Sequence, residues 1–344
     1  MEFAMGTVCA VNLYEGGNHQ LYSRIFSRVR EIDRTMNFHT DEFRELMGGG
    51  IVDPDSRSAV TIQSAVEALT SGVIAVNRQA GLEPVKVRKD IIEVMEKALY
   101  YAELSGGAFD PTVGPLVTLW GIGTDDVRVP GEDEITGALE LVNWRNLLID
   151  RRAGTVFLLR EGMAVDLGAI AKGYAAEEAV RIAEEAGVQR AVFDFGGNIS
   201  VLGWRGKKGK EQLPWRIGIQ NPLNESERGA YIGVLQVHDK SIVTSGVYER
   251  FFESDGKHSH HILSTTDGYP VDNGLLSVTI VTESSTDADA LSTAVFALGF
   301  VKGKALIDSI PGTEAIFIFN DKSVRITGGL SEIFALTNND FVLN

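Results

Sequence analysis

Cysteine is almost absent. Cys9 is the single one in 344 residues, which excludes an internal disulfide and any cysteine-rich zinc site. Basic residues are also in the minority: 32 Lys and Arg stand against 47 Asp and Glu, a net charge of −15. Such a balance argues against nucleic acid or an anionic membrane as the main partner. It bears on phosphate ligands too, because an acidic chain needs local cations, or a metal ion, to hold a diphosphate. No run of about 18 or more apolar residues occurs, so no segment reads as a membrane span. His19, His39, His238 and His258 show no ligand spacing. No helix face carries two histidines with a carboxylate, so a zinc hydrolase is not expected. Neither Gly-x-Gly-x-x-Gly after a strand nor the Gly-rich Lys-Ser/Thr phosphate loop is present, and the usual nucleotide motifs are therefore missing. The start, Met1 to Thr7, lacks the basic and apolar regions of a signal peptide. A cytoplasmic chain and a trimmed exported one both remain open on that basis.

What is present describes an ordinary globular protein, with 44% apolar and 23% charged residues. Residues 5–14 read as a strand, and residues 21–36 as a helix with Leu21, Ile25, Val29 and Ile32 on one face. Residues 37–60 read as loop, residues 61–81 as a helix and residues 84–87 as a short strand. A helix capped by Asp90 follows, running to Leu104. Residues 105–115 hold three glycines and two prolines and are expected to be irregular. Residues 132–142 form a weak helix. Strand pairs are expected at 147–150 with 155–159, and at 191–195 with 199–202 across Gly196-Gly-Asn198. Further strands fall at 215–219, 232–237, 241–244, 276–281, 315–319 and 323–326, with helices at 287–298 and 303–309. Strand pairs joined by short turns outnumber strand–helix alternation. An α+β fold with largely antiparallel sheets in one compact unit is therefore expected.

Two stretches can carry chemistry. Asp166-Leu-Gly-Ala-Ile-Ala-Lys-Gly-Tyr174 sets a carboxylate, small residues and Lys172 at the mouth of an amphipathic helix that Gly187 ends. A helix start offers unpaired N–H groups and partial positive charge, and small residues let a phosphate approach. The plainer reading is a helix capped by Asp166 with a solvent-facing lysine. Asp287-Ala-Asp-Ala-Leu-Ser-Thr-Ala294 is the second. Asp289 and Thr293 lie four apart on one helical face, where a carboxylate and a hydroxyl can supply part of a hard cation's oxygen shell. A capping box, Thr286-x-x-Asp289, explains the same residues without a metal. Ser259-His-His-Ile-Leu263 can place a histidine for proton transfer or phosphate contact, or be a surface turn. Phe109-Asp-Pro111 and Gly196-Gly-Asn198 are turns that also let a planar ligand approach the backbone.

Together these pieces resemble the ApbE family of FAD:protein FMN transferases. The matching stretches are Met5-Gly-Thr7, Gly107 to Leu116 with Trp120-Gly121, Asp166 to Tyr174, Gly196-Gly-Asn198, Thr244-Ser-Gly246 with Tyr248-Glu-Arg250, His261-Ile-Leu263 with Gly268-Tyr-Pro270, and Ala288 to Ala294. They occur in family order over nearly the whole chain. The resemblance implies an α+β fold of the T-fold type over residues 1–344, with residues 48–80 as an insertion. It implies Mg²⁺-dependent cleavage of FAD, transfer of FMN through a phosphoester to a threonine of an acceptor flavoprotein, and release of AMP. Some members mainly hydrolyse FAD to FMN and AMP, and a non-catalytic FAD-binding protein is a further alternative. By position, Asp289, Thr293 and the Ala169 carbonyl would hold the metal. Met36, Ala108, Phe109, Asp110, Asp166, Lys172, Gly196, Gly197, Asn198, Ser245, His261 and Ile262 would contact FAD, with His261, Asp289 and Lys172 catalytic. The acceptor would be a subunit of a membrane redox complex of the Rnf or sodium-pumping quinone reductase type. The compartment would be extracytoplasmic with a lipid anchor, the missing signal then reflecting trimming. Two departures from the family pattern stand out: Met36-Asn37 replaces Met-Ser, and Asp41-Glu-Phe43 replaces a Ser-Glu pair.

Overall fold

A computed structural model describes residues 1–36, 70–124, 127–206, 212–224, 229–248, 251–254 and 257–344. The departures at Asn37 and at residues 41–43, the Glu249-Arg250 part of a motif, and residues 48–69 of the insertion lie outside the described residues. The chain divides into two compact units, neither of them one continuous stretch of sequence. Unit 1 comprises Met1–Val29, Lys172–Ser264 and Pro270–Asn344, and unit 2 comprises Arg30–Ala171 and Thr265–Tyr269. The architecture is α+β, and among the described residues every pair of neighbouring strands is antiparallel except one pair at a sheet edge.

Unit 1 is built on a nine-stranded sheet among the described residues. In spatial order its strands are β1 (Glu2–Ala4), β2 (Thr7–Leu13), β6 (Ala191–Phe195), β7 (Asn198–Leu202), β10 (Lys240–Gly246), β13 (Leu275–Thr282), β14 (Glu314–Phe319), β15 (Ser323–Ile326) and β17 (Val342–Leu343). The expected strand at 5–14 begins instead as a β1–β2 hairpin. Met5 and Gly6 turn it with φ of 56° and 70°, a conformation glycine adopts without strain. Every residue of β13 after Leu276 is buried, as expected for a strand covered on both faces. One cover is a second sheet of β16 (Phe334–Leu336), β9 (Tyr231–Val237) and β8 (Trp215–Gln220). Between the two sheets lies a core of Trp215, Ile217, Leu235, Ile242, Ile316 and Phe334 with their neighbours. The helix α7 (Ser285–Asp308) packs on β10, β13 and β14. This helix is apolar and long enough to cross a membrane by length and composition, but more than half of its most apolar window is buried within the fold. Gly299, at φ 72° and ψ 175°, breaks it where the two expected helices were separated. A hairpin of β11 (Phe251–Ser254) and β12 (Lys257–His260) precedes His261. The helix α6 (Ala171–Glu185) ends at Gly187, whose φ is 82°.

Unit 2 holds α2 (Val73–Arg78), α3 (Lys89–Leu104), α4 (Gly114–Trp120), α5 (Glu132–Leu139) and a sheet in the order β3 (Val85–Lys86), β5 (Thr155–Leu158), β4 (Leu147–Asp150). The helix α1 (His19–Met36) contributes residues to both units. Two local expectations are corrected. Asp90 does not cap α3: Arg88 is the cap residue, and the Asp90 carboxylate accepts from Arg88 and from the Ile91 N–H inside the first turn. The irregular stretch ends before residue 115, because Pro115 sits in the first turn of α4, where its missing N–H leaves nothing unpaired.

Candidate functional site

The starts of α6 and α7, over a hundred residues apart in sequence, lie against each other within unit 1. Gly173 makes the approach possible. A Cβ added there would stand 2.3 Å from the Ser285 carbonyl oxygen and 2.6 Å from the Asp289 Cβ. The capping box expected at Thr286 and Asp289 does not form. Ser284 is the cap, accepting from the Asp287 N–H at 3.1 Å. Asp289 instead reaches across to α6, where its Oδ2 accepts from the Gly173 N–H at 2.8 Å. Its Oδ1 lies 3.9 Å from Lys172 Nζ. The residue is 3% exposed. Burial pushes its pKa above the usual carboxylate range, opposed by Lys172 and by the Gly173 hydrogen bond.

Ser292 Oγ donates to the Asp289 backbone carbonyl at 2.9 Å. Ser245, near the end of β10, places its Oγ 2.8 Å from Ser292 Oγ and 3.4 Å from Thr293 Oγ1. Thr293 follows Asp289 by one helical turn. A buried carboxylate with one backbone donor, and a hydroxyl one helical turn on, can supply part of a hard cation's oxygen shell. Among the described residues no three His, Cys, Asp or Glu side chains gather closely enough to hold a metal by themselves. The donor set suits a magnesium ion, which takes one or two protein oxygens and completes its shell with water and substrate phosphates.

Asn198 is 1% exposed and sits at the start of β7, just beyond the exposed Gly196-Gly197 turn. Both turn glycines have positive φ, and a Cβ on Gly196 would overlap Thr7. Asn198 Oδ1 accepts from Ser285 Oγ at 2.8 Å, tying the turn to the first residue of α7. Its Nδ2 has no partner among the described residues, a donor that a ligand oxygen can satisfy.

His260 and His261 have different surroundings. The His260 Nε2–H donates to the Val271 carbonyl at 2.8 Å, so Nδ1 is the acceptor for the Ile262 N–H at 3.2 Å. Both ring nitrogens are used and the ring is held neutral. Burial pushes its pKa down, against the Val271 hydrogen bond and Asp272. This ring fixes the backbone of the His261-Ile262 pair; His261 is half-buried and Ile262 buried.

The remaining expected contacts lie in unit 2. Met36 is buried at the end of α1, and Ala108 is half-buried beside the buried Phe109. The carboxylate of Asp110 is fully engaged: Oδ1 accepts from the Thr112 N–H and hydroxyl, and Oδ2 from the Trp144 N–H. Asp166 does not cap α6, which begins only at Ala171; its Oδ1 accepts from the Gly168 N–H and shapes the turn that holds Ala169. Unit 1 therefore brings together Lys172, Asp289, Thr293 and Ser245, with Asn198 joined through Ser285.

Sequence reasoning missed Gly173 as a contact point, Ser292, Ser285 and His260. It also missed Glu177, which accepts from Ser284 and Thr286. Glu177 does lie four residues beyond Gly173, on the same helical face. Its partners, more than a hundred residues away, leave no local trace.

The chain is similar over its length to known proteins. It is 36% identical to an FAD:protein FMN transferase of Treponema pallidum, over 99% of this chain and 90% of that protein. An FAD:protein FMN transferase of Klebsiella pneumoniae is 37% identical over 76% of this chain and 79% of its own length. The crystal structure of the ApbE protein of Thermotoga maritima superposes with a TM-score of 0.77 at 31% identity, covering 96% of this chain and 97% of that one. The sequence model of the ApbE family matches residues 5–317. With that match spanning most of the chain, the protein belongs to the ApbE family.

Proposed function

We propose that the chain cleaves FAD between its two phosphates in a Mg²⁺-dependent reaction and transfers FMN to a threonine hydroxyl of an acceptor flavoprotein, releasing AMP. One observation carries this reading: two helix starts converge so that Lys172 and Asp289 stand 3.9 Å apart, with Thr293 and Ser245 alongside. Phosphoryl transfer needs positioning and charge neutralisation more than covalent participation by the protein. Asp289 and Thr293 would hold the magnesium ion. When bound, the ion would offset charge on the diphosphate. Lys172 adds a positive charge to the start of α6, where the helix dipole already favours an anion. The acceptor oxygen forms a bond to the phosphorus of the FMN half as the anhydride P–O bond breaks, and the electron pair leaves with AMP. His261 takes the hydroxyl proton, a role suited to an imidazole near neutral pH.

For the acceptor and the compartment, the family resemblance is the sole support. It favours a flavoprotein subunit of a membrane redox complex, of the Rnf or sodium-pumping quinone reductase type, met outside the cytoplasm by a lipid-anchored enzyme. The decisive experiment incubates the protein with FAD and Mg²⁺, with and without an acceptor that presents a threonine. FMN covalently on the acceptor plus AMP supports transfer. Free FMN plus AMP in both arms makes water the nucleophile, and unchanged FAD removes catalysis altogether.

A further inference from the structure

We propose that Glu177 is a positioning residue for the cation site: it fixes the start of α7 on α6 so that Asp289 is presented to Lys172 and Gly173. The proposal rests on the reading of Asp289 as a metal ligand given above. Glu177 lies one helical turn beyond Gly173, so both face the same neighbour. At Gly173 that neighbour is the Ser285 carbonyl and Asp289. At Glu177 it is the turn that opens α7. A single oxygen, Oε2, accepts from Ser284 Oγ at 2.6 Å, from the Thr286 N–H at 3.0 Å and from Thr286 Oγ1 at 2.7 Å. The Ser284 hydroxyl that donates to Glu177 also accepts from the Asp287 N–H. Cap and carboxylate thus form one chain of hydrogen bonds, each polarising the next.

The location of these bonds gives them their consequence. Thr286 precedes Asp289 by three residues, so fixing its backbone and hydroxyl fixes the direction in which Asp289 leaves the helix. Asp289 has little else to hold it, with one backbone donor and a lysine at 3.9 Å. A negative charge at this helix start is favoured by the partial positive charge of the helix dipole. Glu177 touches neither of the proposed metal ligands and acts through Thr286 and Ser284. Outer partners of this sort typically change metal affinity by roughly 10- to 100-fold when removed.

The test compares full-length wild type, Glu177→Ala and Glu177→Gln. Mn²⁺ binding without FAD is read from the loss of the free-ion paramagnetic resonance signal. Metal half-saturation of FAD cleavage and thermal unfolding are measured alongside. Glu177→Ala is expected to weaken Mn²⁺ binding and raise metal half-saturation about tenfold, with most of the lost rate returning at saturating metal. Glu177→Gln keeps an acceptor oxygen and is expected to recover at least half of that loss. Unchanged half-saturation with a lower melting temperature overturns the proposal, because that is the signature of a purely structural cap. Should Glu177→Ala fail to fold, Glu177→Asp takes its place, and a shift under twofold overturns the idea. If wild type binds no Mn²⁺, the metal-site reading and this proposal both fall. If wild type binds and the variants match it, Glu177 alone is at fault.

Discussion

Asp110 and Asp289 are both buried, at 8% and 3% exposure, and in both burial pushes the pKa up. Their surroundings differ. Asp110 receives three hydrogen bonds from donors that belong to its own turn and to Trp144. Asp289 receives one, from Gly173. A buried carboxylate saturated by its own fold has little capacity left for a ligand, and its charge is spent on shaping a loop. One left short of donors costs the fold stability and keeps lone pairs for a cation. Burial is thus common to the two acids, and the number of donors around them is what differs.

Replacement of the two acids tests this contrast most directly. Asp289→Asn is expected to lower FAD cleavage roughly 100- to 1,000-fold and to abolish Mn²⁺ binding. A carboxylate whose folded pKa is raised contributes stability at low pH and loses it as pH rises from the usual 3.8 through the raised value. The asparagine lacks that loss, so its melting temperature near neutral pH should be no lower than wild type. A clear destabilisation would place Asp289 with Asp110. His261→Ala, measured in the same cleavage assay, should lower turnover by about 100-fold or more, with FAD affinity from flavin fluorescence little changed.

Gly173→Ala comes next, since its Cβ would meet the Ser285 oxygen at 2.3 Å. Separation of the two helix starts should cost about 1–3 kcal/mol in denaturant unfolding and raise metal half-saturation. Asp110→Asn turns one acceptor oxygen into a donor facing donors, and should destabilise by about 1–3 kcal/mol while leaving FAD affinity intact. Lower FAD affinity at unchanged stability would make Asp110 an FAD contact. The smallest effect concerns His260. Its folded pKa is depressed below 6.5, so the unfolded chain binds more protons in that window. Its contribution to stability is present above pH 6.5 and falls away below. In thermal melts from pH 8 to 5, His260→Gln should flatten that decline.

The elements whose patterns are local were legible in the sequence. β13 announces itself by its apolar run, and the β6–β7 hairpin by Gly196-Gly197. Gly299 marked the break in α7. The site was legible in part, because Asp289 and Thr293 share a helical face by spacing alone. What could not be read was direction. Thr286 and Asp289 satisfied the pattern of a capping box, yet their side chains turn to Glu177 and Gly173 on another helix. A local motif and a long-range contact compete for the same atoms, and packing around Gly173 decides between them. Asp110 and Asp166 carried the same ambiguity in the opposite sense, since each binds backbone within its own turn.

The strand order of the large sheet has a consequence for biosynthesis. β10 is paired on one side with β7, and its other edge waits for β13, which is followed directly by the helix bearing Asp289. A nascent chain halted before Leu275 would expose an unpaired sheet edge. A product terminated there would therefore lack both the partner for that edge of β10 and the helix that bears Asp289, and would be prone to aggregate.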